Sequence, residues 1–128
     1  ILPYGEPGVS GAQDLTQTLQ AAEGVILVFP VYNFHMNATL KAIIEHGGPA
    51  MAGKVVGLMA SAGGRHAYMS FASAIQGLMF DLRCWIVPRQ VYALGEDFTE
   101  GRLSNQDVLR RVGELVAATA DMAHRLRR

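Results

Sequence analysis

One cysteine, Cys84, is all the thiol chemistry in 128 residues. It excludes an internal disulfide and suits a reducing compartment, the cytoplasm being the expected one. Long apolar runs are missing too: none approaches the roughly 20 residues of a membrane helix, and no signal peptide is visible, so no membrane association is expected. Net charge is zero, with 11 Lys and Arg against 11 Asp and Glu. That argues against nucleic acid and against a polybasic anchor as partners. The four histidines and Cys84 show no metal spacing, and there is no repeat, linker or second domain. What remains is half apolar, enough for one domain, spanning residues 1–128, with a real core. The charge is uneven: before Arg65 the only basic residues are Lys41 and Lys54, so the second half carries most of it.

Residues 1–9 are rich in Gly and Pro and read as a loop. Ser10 then resembles an N-cap, with Gln13 as its capping-box partner and Leu15, Leu19 and Ala22 on one face of a short helix. Gly24–Phe29 is continuous and apolar, the pattern of a parallel strand covered on both faces, and Pro30 is expected to stop it. Asn37 caps a helix carrying Leu40, Ile43 and Ile44, which Gly47 and Gly48 would end with His46 in the last turn. Lys54–Ala60 is the next strand, followed by a Gly-rich turn over Ser61–Arg65. Tyr68, Phe71, Ile75, Leu78, Met79 and Leu82 then mark a long amphipathic helix. Cys84–Val87 is a third strand, interrupted by Pro88 and resumed at Val91–Leu94. After a polar loop over 95–103, Ser104 caps a last helix whose stripe is Val108, Val112, Leu115, Ala118, Met122 and Leu126.

The order α-β-α-β-α-β-α predicts an α/β fold, a parallel sheet with helices on both faces. The 25–29 strand wants sheet neighbours on both sides, yet only two later strands are available. One edge would stay bare, a liability that implies about two further strands preceding this segment. A first residue of Ile1 rather than Met fits a sequence that starts after other residues.

Open α/β sheets bind ligands beyond the carboxyl ends of their strands. Two loops qualify, Pro30–Met36 and Ser61–Arg65, and consecutive parallel strands set them side by side. One offers aromatic surface and an amide; the other offers glycine backbone that a flat ligand can approach closely. A planar heterocycle suits the pair. Neither loop is a Walker loop or a G-x-G-x-x-G turn.

Three segments together resemble the NAD(P)H-dependent FMN reductases. GVILVFPVYNFHMNATLKAIIEHG is similar to their strand–T-P-E-Y-N–helix segment. KVVGLMASAGGR is similar to their next strand and its Ser-x-Gly-Gly turn. LRCWIVPRQVYALGEDFTEGRLSNQDVLRRV is similar to their final strand, V-P-x-x-V and D/E-G-R-L. The resemblance implies a flavodoxin-like parallel sheet, N-terminally incomplete, so that this chain is the C-terminal two-thirds of an FMN-binding domain. It implies FMN as cofactor, NADPH or NADH as electron donor, a small-molecule acceptor such as a flavin or quinone, and a homodimer or homotetramer. It also places the flavin ring against Pro30, Val31, Tyr32 and Asn33, then Ser61, Gly63 and Gly64, with Phe34 and Ala62 as neighbours. Val31 stands where many relatives have Glu, and Phe34-His35-Met36-Asn37 replaces their G-S-x-P. Relatives hold the FMN phosphate on a Ser/Thr/Arg loop after their first strand, which has no counterpart here.

Plainer roles stand beside these. Tyr32 suits a partly buried strand end and Asn33 a turn. Arg65, His35 and His66 suit solvated loop positions, and Cys84 a core position. Met69, Phe80 and Trp85 fall off the core stripe and suit a subunit interface. No catalytic side chain is expected, because hydride transfer is the cofactor's chemistry. The alternatives to an oxidoreductase are a flavodoxin-type electron carrier, disfavoured by the neutral charge, or a fragment or interaction protein that no longer binds flavin.

Overall fold

The computed structural model describes residues 10–127, apart from the side chains of Ser10 and Ala12. The loop read over residues 1–9, the cap assigned to Ser10, and Arg128 lie outside what it describes.

Helix α1 (Ser10–Ala21) leads into β1 (Gly24–Tyr32). Its last carbonyls are collected by a distant lysine: Lys54 Nζ donates to Leu19, Gln20 and Ala22 oxygens at 2.5, 2.9 and 2.5 Å. A cation there satisfies orphan acceptors and opposes the negative end of the helix dipole. Helix α2 (Ala38–Met51) is capped as expected, the Asn37 side chain accepting from the Leu40 amide at 3.2 Å. It does not stop at Gly47 and Gly48 but runs through Pro49 to Met51. The glycines are there for clearance. A Cβ on Gly47 would sit 2.4 Å from Leu19 Cδ1, and one on Gly48 3.2 Å from Leu82. His46 therefore lies inside the helix rather than in its last turn.

Strand β3 (Val55–Ala62) is central. It pairs in parallel with β1 from Gly24↔Val55 to Pro30↔Ser61. On its other side it pairs in parallel with β4 (Trp85–Ile86) and then β5 (Val91–Leu94), one line of strand broken around Pro88. Among the described residues no strand pairs with β1 on its outer edge between Gly24 and Pro30. Among the described residues the expected bare edge is therefore present. It also corrects the reading of Pro30 as a stop: β1 continues to Tyr32, because proline is tolerated where a strand is an edge.

Two cores flank the sheet. Val25, Leu27 and Phe29 pack with Leu19, Leu40, Met51, Phe71 and Leu78 on one face. Val55, Val87, Val91 and Ala93 pack under α4 (Gln106–Arg125), through Val108, Leu115 and Ala123, on the other. The second layer reaches β1 only at its start. Val28 is 67% exposed, so β1 is not covered on both faces as its apolar run suggested.

The segment 67–82 is helical but not one helix. A 3-10 turn (Arg65–Ser70), α3 (Phe71–Gln76) and a π turn (Gly77–Asp81) succeed one another. The π turn adds a residue per turn and rotates the chain beyond it. Leu78 stays buried, whereas Met79 turns out to solvent; Tyr68, on the irregular 3-10 turn, is also exposed. The polar loop of 95–103 contains a hairpin, β6 (Phe98–Thr99) with β7 (Arg102–Leu103), turned by Glu100 and Gly101 at positive φ. Helix α4 is capped by Asn105, which accepts from the Asp107 and Val108 amides, not by Ser104.

Candidate functional site

The carboxyl ends of β1, β3 and β5 lie together. After Tyr32 the chain does not loop but turns back at once, pairing Tyr32 with His35 and Val31 with Met36 through the short strand β2 (His35–Met36). The two turn residues, Asn33 and Phe34, have φ of +52° and +62°. Both central residues of a tight primed turn need that sign. Asn adopts it readily; Phe does so only under strain. Asn33 is thus the turn former of the plainer reading.

Strand β3 ends later than expected, at Ala62, and Gly63–Gly64 makes the turn. A Cβ on Gly63 would meet nothing within 4 Å, so its backbone faces open space. The Gly64 carbonyl accepts from the Tyr92 hydroxyl. Beyond β5 the chain is ordered by a buried carboxylate. Asp97 accepts from the Leu94 amide and from Asn105 Nδ2, both at 2.7 Å, and its backbone oxygen accepts from the Ser104 and Asn105 amides. That hub fixes Gly95 and Phe98 beside the other two loops.

The result is an open, mostly apolar cavity of about 300 Å³. Of the residues singled out from the sequence, Pro30, Val31, Tyr32, Ser61, Ala62 and Gly63 line it. Asn33, Phe34 and Gly64 do not. Phe34 lines instead a larger groove of about 750 Å³, across the hairpin, with His35, Tyr68, Met69, Phe71 and Phe80. Gly95 and Phe98 complete the small cavity and were missed in the sequence. The D/E-G-R-L stretch next to Phe98 was the available signal, but only the Asp97 bonds carry that segment to the cavity. The larger groove lies on the helical flank; the smaller one sits where parallel sheets bind ligands.

Arg65 is exposed and ion-paired with Glu96, while His35 and His66 are exposed. His35 Nδ1 is 3.4 Å from Ser73 Oγ. No cluster of His, Cys, Asp and Glu among the described residues could hold a metal.

The sequence profile for NADPH-dependent FMN reductases matches residues 4–99. The chain belongs to the NADPH-dependent FMN reductase family. Every residue lining the small cavity falls inside the matched span. No curated protein sequence matches the chain.

Solved structures agree on the fold. An oxidoreductase from Corynebacterium diphtheriae is 25% identical with a TM-score of 0.67, over 88% of this chain and 64% of that one. An NADH:FMN oxidoreductase in its apo form is 18% identical with a TM-score of 0.68, over 92% and 61%. An NADPH-quinone reductase from P. pentosaceus is 14% identical with a TM-score of 0.62, over 81% and 73%. This FMN reductase family member is therefore flavodoxin-like in fold, and it spans less than two thirds of the length of the first two. No helix among its described residues is long and apolar enough to cross a membrane.

Proposed function

We propose that this chain is an FMN-dependent oxidoreductase that takes electrons from NADPH or NADH and delivers them to a small acceptor such as a flavin or quinone. The observation that carries this reading is the convergence of Pro30–Tyr32 and Ser61–Gly63 on one open cavity at the carboxyl end of the sheet. Membership of the family supports it.

The residues present fit a flat ring. Gly63 has no side chain to obstruct close approach, and a Cβ there would project into open space. Pro30, Val31 and Phe98 are apolar residues of the cavity lining, and Ser61 is a polar one. FMN, when bound, supplies the hydride and electron chemistry. The protein's part is to hold the ring between these two walls and to keep water from one side of it. Asn33 sets the hairpin turn that carries Tyr32, and Gly64 holds the other wall through Tyr92. No acid or base is assigned, so activity should not depend on one titrating side chain in the cavity.

A reducing compartment such as the cytoplasm suits the free, buried Cys84. Assembly as a homodimer or homotetramer is supported by large apolar side chains left in solvent, among them Met69, Phe80 and Trp85.

The test is a titration of the purified full chain with FMN, followed at the flavin band near ~450 nm, then NADPH and NADH oxidation in the presence of a quinone or free flavin. Saturable FMN binding with nicotinamide oxidation is expected. Binding without oxidation would favour the electron carrier, and no binding would sink the proposal.

A further inference from the structure

We propose that Tyr92 is a positioning residue for the flavin, one that sets the glycine wall of the cavity without touching the ring. The inference rests on the proposed FMN binding.

The wall in question is short of side chains. Gly63 and Gly64 come after the end of β3 and precede the 3-10 turn, for which Gly64 is the N-cap. Two consecutive glycines have more backbone freedom than any other pair, so something outside the turn must restrict them if a ring is to meet one fixed surface. Tyr92 reaches across and donates its phenol O–H to the Gly64 carbonyl.

The donor is itself held on two sides. Tyr92 sits in β5, registered with Ala60 of β3. Its ring packs edge-on against Tyr68 and Phe71, with centroids 5.8 and 6.3 Å apart and planes at 82° and 67°. Phe71 in turn meets Phe29 at 5.7 Å and 77°. Edge-to-face rings of this kind fix orientation as well as area. Phe29 is the residue before Pro30, which lines the opposite wall. One aromatic chain, Phe29–Phe71–Tyr92, therefore runs from the base of the hairpin wall to the glycine wall, and it anchors the donor that holds the Gly63–Gly64 turn on walls whose spacing the sheet sets. The other link to the turn, Arg65 with Glu96, is an exposed ion pair, and such pairs contribute little.

Tyr92→Phe keeps the ring packing and removes only the hydroxyl. In the FMN-free protein it should speed amide hydrogen exchange at Gly64–His66 and lower the melting temperature by no more than the few degrees that one lost hydrogen bond costs. In the holoenzyme it should raise the Kd for FMN about fivefold, the low end of the cost of ordering one freed backbone residue on binding, and shift the visible absorption band of the bound flavin. Wild-type affinity with an unshifted band overturns the proposal. So does a loss of affinity without faster exchange at Gly64–His66. If wild-type protein takes up no FMN, this proposal falls together with the reading it rests on, and the wild-type titration tells the two failures apart.

Discussion

Pro30 and Ser61 are register partners at the carboxyl end of the parallel β1–β3 ladder, and both line the small cavity. Neighbouring strands lie about 4.8 Å apart. The two loops that meet at the cavity are thus spaced by the sheet itself, not by their own conformations.

The openness of Gly63 makes one substitution diagnostic. Gly63→Val adds a side chain where the protein has nothing within 4 Å. Folding should be unchanged, with a melting temperature equal to wild type. FMN affinity should fall at least tenfold, roughly 1.4 kcal/mol or more, because the new methyls occupy the ring's place. A fluorescence-quenching titration beside a thermal melt checks both halves, and wild-type affinity would move the flavin elsewhere.

The opposite result is expected within the strand that leads to this turn. A Cβ on Gly57, in β3, would lie 2.7 Å from Thr119 Oγ1 and 3.1 Å from Leu115 Cδ1. Thr119 cannot easily yield, since its hydroxyl is bonded to the Leu115 carbonyl at 2.7 Å. Gly57→Ala should cost about 1–3 kcal/mol through overpacking between sheet and α4. Denaturant unfolding reads this as a lower midpoint at an unchanged slope.

Assembly is open to direct measurement. Phe80 and Met69 are 76% and 60% exposed, and with Phe34 and Tyr68 they line the larger groove. Light scattering should give the mass of a dimer or tetramer for the full chain. Phe80→Lys with Met69→Lys should shift it to monomer, because charges there oppose burial against a second copy. A wild-type monomer at micromolar concentration would rule the assembly out.

Cys84 carries a pH dependence. Burial pushes its thiol pKa above the ordinary value of 9.0, outweighing hydrogen bonds from the Lys54 and Gly53 backbone that lower it. The unfolded chain therefore loses this proton first as pH rises. Stability from this group is complete below about pH 9 and declines above it, by at most about 1.4 kcal/mol per pH unit. Cys84→Ala should flatten that decline in denaturant unfolding measured from about pH 8 to about pH 10. In the native protein the thiol should react with a thiol reagent only as fast as the structure opens.

Much of this molecule is legible along the chain, because its main signals are local. Continuous apolar runs mark β1 and β3, three-and-four spacing marks α4, and Asn37 announces α2. Alternation of these elements implies a parallel sheet, which places Pro30–Tyr32 beside Ser61–Gly63. Residues whose meaning depends on a distant neighbour read differently once folded. Gly47 and Gly48 look like breakers in isolation and are clearances for Leu19 and Leu82 in space. Pro30 looks like a stop and is an edge residue. Asn33-Phe34 lacks the glycine of an ordinary tight turn, so the hairpin it makes was hidden. The π turn at Gly77–Asp81 moves Met79 off a stripe that perfect helical spacing would bury. Phe98 joins the cavity only because Asp97, eight residues from Asn105, bonds it and the end of β5 at once. Periodicity is a property of neighbours in sequence. Clearance, edge position and hydrogen bonds across loops are properties of neighbours in space, and only the folded chain supplies those.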